Sequence, residues 1–556
     1  MKLTGAEILV KELIRLGTTT VFGYPGGYVI NIYDELYKQK EFISHILPAH
    51  EQGGAHAADA YARVCGKTGV VIATGGPGAT NLITGIANAY LDSVPVVFIT
   101  GNVAVPMLGQ DSFQDIDIVG VTLPIVKHSY VVRKINDLQF IINEAFSLAE
   151  KGRKGPVHID IPKNIQIEAA EYNPSFKLPS DKKGVIHPSY DKDSADINDA
   201  VSLIQNSKRP YIYCGGGVSA TDTGKLVMEL SGKIGAPIGM SLMGIGSVPA
   251  SFALNLGMSG MHGRLASITA KSEADLIIAL GVRFSDRATG KAGDYAKNTE
   301  VIHIDIDAAE LGKNIRPTVG ICADLNDVLP ILVDKVKTKT NTEWVEHVRK
   351  LKEKDRIIPS GEFTPSNIIN CVNSYYGDDT VVATDVGQHQ MWVAEYYGFE
   401  KPRKLISSGG LGAMGYGMGA AVGACIAGNR KRTVLITGDG SFGMNLAELA
   451  TAVTMELPIT IILLNNGSLG MVRQLQTLFF DKRYSNTTIN RKTDFPALAK
   501  AFGAEGLIAE NITELSEALE KASGNLPFLI ECKIDIDEKV LPMIPAGGTI
   551  NDVILE

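Results

Sequence analysis

The chain has 556 residues, 45% of them apolar and 21% charged, with a formal net charge of −8. That length exceeds what one hydrophobic core sustains and leads to about three domains, while the acidic balance offers no basic groove for nucleic acid. Six cysteines stand singly with no Cys-x-x-Cys pair, which excludes a zinc ribbon or a disulfide framework and points to a reducing compartment, with a cytoplasmic location expected.

The chain begins with an amphipathic helical pattern, Ala6, Leu9, Val10, Leu13 and Ile14, which leaves no room for a signal or transit peptide. An apolar run over residues 42–47 leads into Pro48-Ala49-His50-Glu51-Gln52-Gly53-Gly54 and a helix of small residues over 55–62. Glu51 therefore falls at a strand's end beside a helix start. A zinc-protease helix would need histidine at position 54, which is glycine, and a lone glutamate in such a loop is ordinarily a surface residue. Gly69-Val-Val-Ile-Ala73 and Pro95-Val-Val-Phe-Ile-Thr100 read as parallel strands covered on both faces.

Residues 172–193, with prolines and charges, read as a linker. Beyond it, the strand Pro210-Tyr-Ile-Tyr213 runs into Cys214-Gly215-Gly216-Gly217, a turn that tolerates phosphate but is a weak signal alone. Two more buried strands follow at 274–280 and 301–305. The second ends on Asp305, a residue type that can accept hydrogen bonds from ribose hydroxyls. Residues 335–365, rich in Lys, Thr and Glu, read as a second linker. The uncharged stretch 407–429 is long enough to suggest a membrane span. Its glycines and alanines instead favour a helix packed closely beside a ligand. The basic run Arg430-Lys431-Arg432 reads as a solvated loop.

In the last third, Thr433-Val-Leu-Ile-Thr437 leads into Gly438-Asp439-Gly440, and Pro458-Ile-Thr-Ile-Ile-Leu-Leu464 leads into Asn465-Asn466, with a helical pattern between them. Such a βαβ unit is right-handed with parallel strands, so Asp439 and Asn466 emerge at one sheet edge. Oxygen ligands of this kind suit Mg²⁺ that draws part of its shell from a diphosphate, and the glycines admit the phosphates. Either motif alone would read as a turn or a loop. The fold class expected is α/β: three doubly wound parallel-sheet domains in series, over residues 1–171, 190–335 and 362–556, the first and last sharing a strand-helix plan.

The paired motifs resemble the diphosphate-Mg²⁺ signature of thiamine diphosphate enzymes. The resemblance implies that Asp439, Asn466 and the Ser468 carbonyl bind the metal, and that Glu51 hydrogen-bonds N1′ of the cofactor's aminopyrimidine. Further motifs extend it over essentially the whole chain. They include Gly23-Tyr-Pro-Gly-Gly27, Gly76-Pro-Gly-Ala-Thr-Asn81, Asp111-Ser-Phe-Gln114, Pro124-Ile-Val-Lys-His128, Arg283-Phe-Ser-Asp-Arg-Ala-Thr-Gly-Lys291 and His303-Ile-Asp-Ile-Asp307. Thr384-Asp-Val-Gly-Gln-His-Gln-Met-Trp392, Ser408-Gly-Gly-Leu-Gly-Ala-Met-Gly415, Leu469-Gly-Met-Val-Arg-Gln474 and Pro542-Met-Ile-Pro545 complete the set. Together they are similar to the catalytic subunits of the acetohydroxyacid synthase (acetolactate synthase) family.

That family resemblance implies a pyrimidine-binding first domain, an FAD-binding central domain and a diphosphate-binding last domain. It places Gly27, Phe113, Gln114 and Lys163 in the active site from the first domain. It assigns Val386, Gly387, Gln388, His389, Gly412, Met414, Gly438, Gly440, Ser441, Met444, Asn466, Leu469, Gly470 and Met471 to thiamine diphosphate. Met414 matches the residue that wedges between the two thiamine rings, although a lone Met in a helical stripe is ordinarily core. FAD, in a non-redox role, is assigned Arg153, Gly215, Gly216, Gly217, Ser241, Leu242, Met243, Gly260, Met261, His262, Gly281, Arg283, Asp305, Ile306 and Asp324. A vestigial central domain without ligand is the alternative. Arg287 matches the arginine that receives the second ketoacid's carboxylate, with a salt bridge to Asp286 as its structural alternative.

The implied reaction is decarboxylation of pyruvate and transfer of the remaining two-carbon unit to a second 2-ketoacid, the first step of branched-chain amino acid synthesis. The implied assembly is a homodimer or homotetramer with sites between subunits, with a small regulatory subunit possible and neither nucleic acid nor membrane as partner. Leu475 stands where the family usually has tryptophan, which is expected to favour pyruvate over 2-ketobutyrate as acceptor. Gly75, Asn102, Ala104, Ser285 and Gly419 also depart from the family pattern. A pyruvate oxidase, a decarboxylase, a carboligase with another acceptor, or a catalytically silent regulatory chain remain open at this stage.

Overall fold

Residues whose side chains bury both faces of a strand form the frame of the molecule. The computed structural model describes residues 1–179, 190–355 and 362–556, and within them the apolar runs assemble three six-stranded parallel sheets. The first contains β1 (Thr20–Tyr24), β2 (Ser44–Ile46), β3 (Gly69–Ala73), β4 (Val96–Asn102), β5 (His128–Val131) and β6 (Val157–Pro162). The second contains β7 (Pro210–Cys214), β8 (Ile238–Met240), β9 (Asn255–Met258), β10 (Leu276–Leu280), β11 (Glu300–Asp305) and β12 (Val319–Cys322). The third contains β13 (Val381–Thr384), β14 (Leu405–Ile406), β15 (Thr433–Gly438), β16 (Ile459–Asn465), β17 (Glu505–Ala509) and β18 (Phe528–Lys533).

The first sheet runs β2-β1-β3-β4-β6-β5 and the third β14-β13-β15-β16-β18-β17, the same order strand for strand. The second runs β9-β8-β7-β10-β11-β12, the order of dinucleotide-binding sheets, in which ligands lie beyond the carboxyl ends where the strand order reverses. In the outer sheets that reversal falls between β1 and β3, and between β13 and β15.

The first and third domains share one hydrophobic core. Its seam is the contact of α1 (Glu51–Cys65) with a later helix over Tyr416–Ala427, here called α4 after α2 (Ile83–Leu91) and α3 (Gln388–Tyr396). A Cβ at Gly423 would collide with the Ala57 carbonyl, and one at Gly419 would lie 2.5 Å from the Gly53 carbonyl oxygen. Glycine and alanine thus let the two backbones meet, and α4 spans only 12 residues. Among the described residues no helix is long and apolar enough to cross a membrane.

The linker expected over 335–365 is corrected in part. Residues Thr342–Lys354 form a helix whose Trp344 and Val348 are buried against the second domain, and the Trp344 indole donates to the Pro210 carbonyl at 3.0 Å. Its apolar positions, Trp344, Val345, Val348 and Leu351, recur at helical spacing, but the Lys and Glu between them dominate a composition-based reading. Residues 180–189 of the earlier linker and 356–361 of this one lie outside the described residues.

Candidate active site

Parallel pairing of β15 with β16 puts Gly438 beside Leu464, so Asp439 and Asn466 leave adjacent strands at the same edge. Asp439 opens α5 (Asp439–Asn445) and is 6% exposed. Burial pushes its carboxyl up to about 6, opposed by neighbouring backbone N–H groups. The Asn466 amide is turned by its neighbours. Its Nδ2 donates to Gln388 Oε1 at 3.3 Å and its Oδ1 accepts the Ser468 N–H at 3.0 Å, so neighbours on both sides fix which end of the amide is oxygen. Among the described residues no group of three or more His, Cys, Asp or Glu could hold a metal. A cation here would rest on one carboxylate, one amide oxygen, a backbone carbonyl and ligand oxygens, a donor set that fits Mg²⁺.

The surroundings fit a diphosphate. His389, in the first turn of α3, is buried, its Nε2 has no hydrogen-bond partner, and desolvation lowers its pKa to about 3. A neutral ring with one free nitrogen therefore faces the edge. A Cβ at Gly438 would come 3.0 Å from His389 Nδ1, and one at Gly440 would lie 2.7 Å from Leu469 Cδ2. Leu469, Gly470 and Met471 open α6 (Gly470–Phe479). Leu475 lies half-buried on this helix. Gln388 Nε2 donates to Gln474 Oε1 at 3.1 Å and to the Glu538 carbonyl at 2.7 Å, so Gln388 is occupied in holding Asn466 and α6.

Asp385 lies inside the motif 384–392 but is given no role by it. Its Oδ1 accepts from Val386 N at 2.9 Å, Gly415 N at 2.8 Å and Ser441 Oγ at 2.6 Å, so one buried carboxylate ties its own loop to the starts of α4 and α5. Burial raises its pKa and those bonds oppose the shift. A Cβ on Gly415, at φ +86°, would lie 3.2 Å from Met444 Cβ, so the residue after Met414 lies against Met444. Met414 is half-buried and Gly412 exposed.

In the first domain, Glu51 is the first residue of α1 and His50 caps it, accepting the Gln52 N–H at 3.1 Å. Asn81 Nδ2 donates to Glu51 Oε2 at 3.0 Å, which leaves the other oxygen for a ligand. Glu51 is half-buried. Tyr28, next to Gly27, donates through its hydroxyl to the Phe113 carbonyl at 2.6 Å. Gln114 sits at φ +62°, and a Cβ on Gly76 would lie 2.7 Å from its Cβ. Gly27, Phe113, Gln114 and the Gly76 turn are thus brought together, while Lys163 follows β6 beside the end of β4. Phe113 is 79% and Met444 60% exposed, so neither half of the site is closed within one chain. Asn102 turns inward, donating to Asp160 Oδ2 at 2.8 Å, and a Cβ on Gly75 would lie 2.7 Å from the Gly101 carbonyl oxygen.

The central-domain candidates collect at the carboxyl ends of its strands: Gly215 to Gly217 after β7, Ser241 to Met243 after β8, Gly260 to His262 after β9, Gly281 and Arg283 after β10, Asp305 and Ile306 at the end of β11. The glycine turn serves close loop packing, since a Cβ on Gly217 would fall 2.7 Å from Gly281 Cα. Asp305, buried, is pushed up to about 6 by desolvation. Arg153 crosses from the first domain to Glu310 at 2.7 Å and Asp307 at 3.2 Å. His262 Nδ1 is buried without a partner, an unused polar atom that fits a ligand at this edge. Asp324 instead caps the helix after β12, accepting the Asn326 N–H at 2.9 Å. Arg287 is 69% exposed along its side chain and only 3.7 Å from Asp286, so that pair leaves the guanidinium accessible.

Comparison with known proteins gives the same three-part division. Residues 3–121 match the family described as thiamine pyrophosphate enzyme, N-terminal TPP binding domain. Residues 197–332 match the central domain of the same enzymes, and residues 385–532 the C-terminal TPP binding domain. The acetolactate synthase large subunit of Lactococcus lactis subsp. lactis is 42% identical over 550 residues, covering 98% of this chain and 95% of that protein. The acetolactate synthase isozyme 2 large subunit of Escherichia coli is 41% identical, with 99% of each chain covered. The isozyme 1 large subunit of the same organism is 41% identical, covering 100% of this chain and 98% of its own length.

Proposed function

The chain belongs to the acetolactate synthase large-subunit family of thiamine pyrophosphate enzymes, and on that premise we propose how its residues divide the work. The reaction is decarboxylation of pyruvate followed by ligation of the two-carbon remainder to a second 2-ketoacid, giving 2-acetolactate, in the first step of branched-chain amino acid synthesis. The observation that carries this reading is the convergence of Asp439 and Asn466 at the same edge of two adjacent parallel strands.

Thiamine diphosphate, when bound, supplies the electron sink that decarboxylation of a 2-ketoacid needs. The chain's own residues bind and orient. Asp439, Asn466 and the Ser468 carbonyl hold Mg²⁺, and His389, Gly440 and Ser441 meet the diphosphate. Glu51, with one oxygen engaged by Asn81, holds a proton at N1′ of the aminopyrimidine. Met414 and Met444 would pack against the thiamine rings. Arg287 receives the acceptor's carboxylate with its fork of donors, and Leu475 gives up the contact that a tryptophan there would make with the extra methyl of a larger acceptor, so that pyruvate is preferred.

The central sheet takes FAD without redox use, with Arg153, Gly215 to Gly217, Arg283 and Asp305 at the strand-order reversal. The exposed Phe113 and Met444 support a site completed by a second copy, with Gly27, Phe113, Gln114 and Lys163 of one chain facing the last domain of the other. Because its relatives are named large subunits, a separate small regulatory chain belongs to the same proposal, as does a cytoplasmic location.

The test is product analysis of the purified protein with pyruvate, thiamine diphosphate, Mg²⁺ and FAD, with and without equimolar 2-ketobutyrate. Acetolactate dominating in both is expected. Acetaldehyde release or oxygen uptake without acetolactate would assign the scaffold to a decarboxylase or an oxidase instead.

A further inference from the structure

We propose that Asp92 is the positioning residue for loop 408–414 and, through it, for Met414; the consequence for turnover rests on the role given to Met414 above. Asp92 follows α2, and its side chain is fully buried. Three donors converge on its carboxylate: Arg63 Nη2 at 2.9 Å and Gly409 N at 3.1 Å on Oδ2, and Gly410 N at 2.7 Å on Oδ1. A helix of the first domain therefore grips two successive backbone N–H groups of a loop in the last domain.

One turn earlier on α2, Asn88 Oδ1 accepts the Ser408 hydroxyl at 2.5 Å, and Ser408 Oγ in turn accepts the Ala413 N–H at 2.9 Å. The loop is clamped at both ends, and Met414 is the next residue. A Cβ on Gly410 would stand 2.7 Å from Asp92 Oδ1 and 3.0 Å from Leu91 Cβ, so glycine there is what allows the carboxylate to reach the backbone.

Asp92 is itself held from both sides. The Leu91 carbonyl accepts from Arg283, and Ser93 Oγ accepts from Arg153 Nε at 2.8 Å, the same arginine that pairs with Glu310. Residues 91–93 are thus the point where all three domains meet. An ionised carboxylate is the group suited to three converging donors, because it is acceptor-only with about four lone-pair sites. An amide would present its own N–H₂ to one of them.

Asp92→Asn and Gly410→Ala in the full-length protein test this from the two sides of the contact. Amide hydrogen exchange of residues 408–415 is followed in the cofactor-free protein, alongside kcat and KM for pyruvate. In Asp92→Asn, exchange at Gly409, Gly410 and Ala413 is expected to rise about 10-fold or more, with α1 and α4 unchanged. In both variants kcat should fall about 100-fold, the effect of a 1 Å misplacement, with KM held within about 3-fold. Unchanged exchange in the loop, or equal acceleration through α1 and α4, would overturn the proposal. If loop exchange rises selectively while Met414→Ala keeps full turnover, the clamp stands and the role given to Met414 falls.

Discussion

Glu448, in the last domain, accepts the backbone N–H of His50 in the first domain at 2.9 Å, and that of Ala49 at 3.1 Å. The residues just before Glu51 are therefore held by a carboxylate from the far end of the chain. Glu448 is buried at 1% exposure, Thr451 donates to it at 2.7 Å, and burial raises its pKa. Glu448→Ala strands two backbone donors, which should cost about 3 kcal/mol. It should also lower kcat about 10- to 100-fold by releasing the start of α1. Urea unfolding and steady-state kinetics on the same preparation separate the two effects.

Glu51→Gln removes the carboxylate while keeping the Asn81 contact available. Turnover should drop about 100-fold or more while the unfolding midpoint stays near wild type, since Glu51 is only half-buried. Full retained activity would remove Glu51 from the catalytic role.

Leu475→Trp tests the acceptor pocket. The ratio of acetohydroxybutyrate to acetolactate from equimolar ketoacids should rise about 10-fold, the scale on which one methylene is discriminated in a hydrophobic pocket. An unchanged ratio would place acceptor choice elsewhere.

Gly423→Ala tests the seam between α1 and α4. The added Cβ would collide with the Ala57 carbonyl, backbone that cannot rotate aside, so a loss of about 2 kcal/mol or more is expected. Thermal unfolding reads it directly, and a stability equal to wild type would mean that the two helices can separate without cost.

Glu395 supplies a pH dependence. It projects from α3, Oε1 is buried without a partner, and burial pushes its carboxyl up to about 8, with Arg264 opposing the shift. Because the folded state keeps this proton after the unfolded chain has lost it, the group's stabilising contribution is complete below the ordinary value of 4.5 and disappears as pH rises through about 8. Glu395→Gln should flatten that part of the Tm-against-pH curve and raise Tm at pH values above about 8. Parallel curves for the two proteins would place the titration elsewhere.

Much of the site was legible because its signals are local. Each of Glu51, Asp439 and Asn466 follows an apolar run that ends in a polar or glycine-containing turn, and a parallel sheet necessarily sends such turns to one edge. Glu448 and Asp92 carry no comparable mark. Their neighbours in sequence are ordinary, and their hydrogen-bond partners are up to 399 residues away. The helix over 342–354 did have a helical pattern, Trp344, Val345, Val348 and Leu351, but the Lys and Glu content of the segment outweighed it, and its buried face became visible only against the second domain.

By itself the sequence determined the three α/β units, the strand ends that carry the candidate site residues and the residue types placed there, because burial on both faces and glycine turns are written in short windows. Tertiary structure alone decided which carboxylate restrains which loop. A buried charge must find donors wherever packing brings them, and here packing joins Glu448 to the start of α1, Asp385 to the starts of α4 and α5, and Asp92 to the turn before Met414.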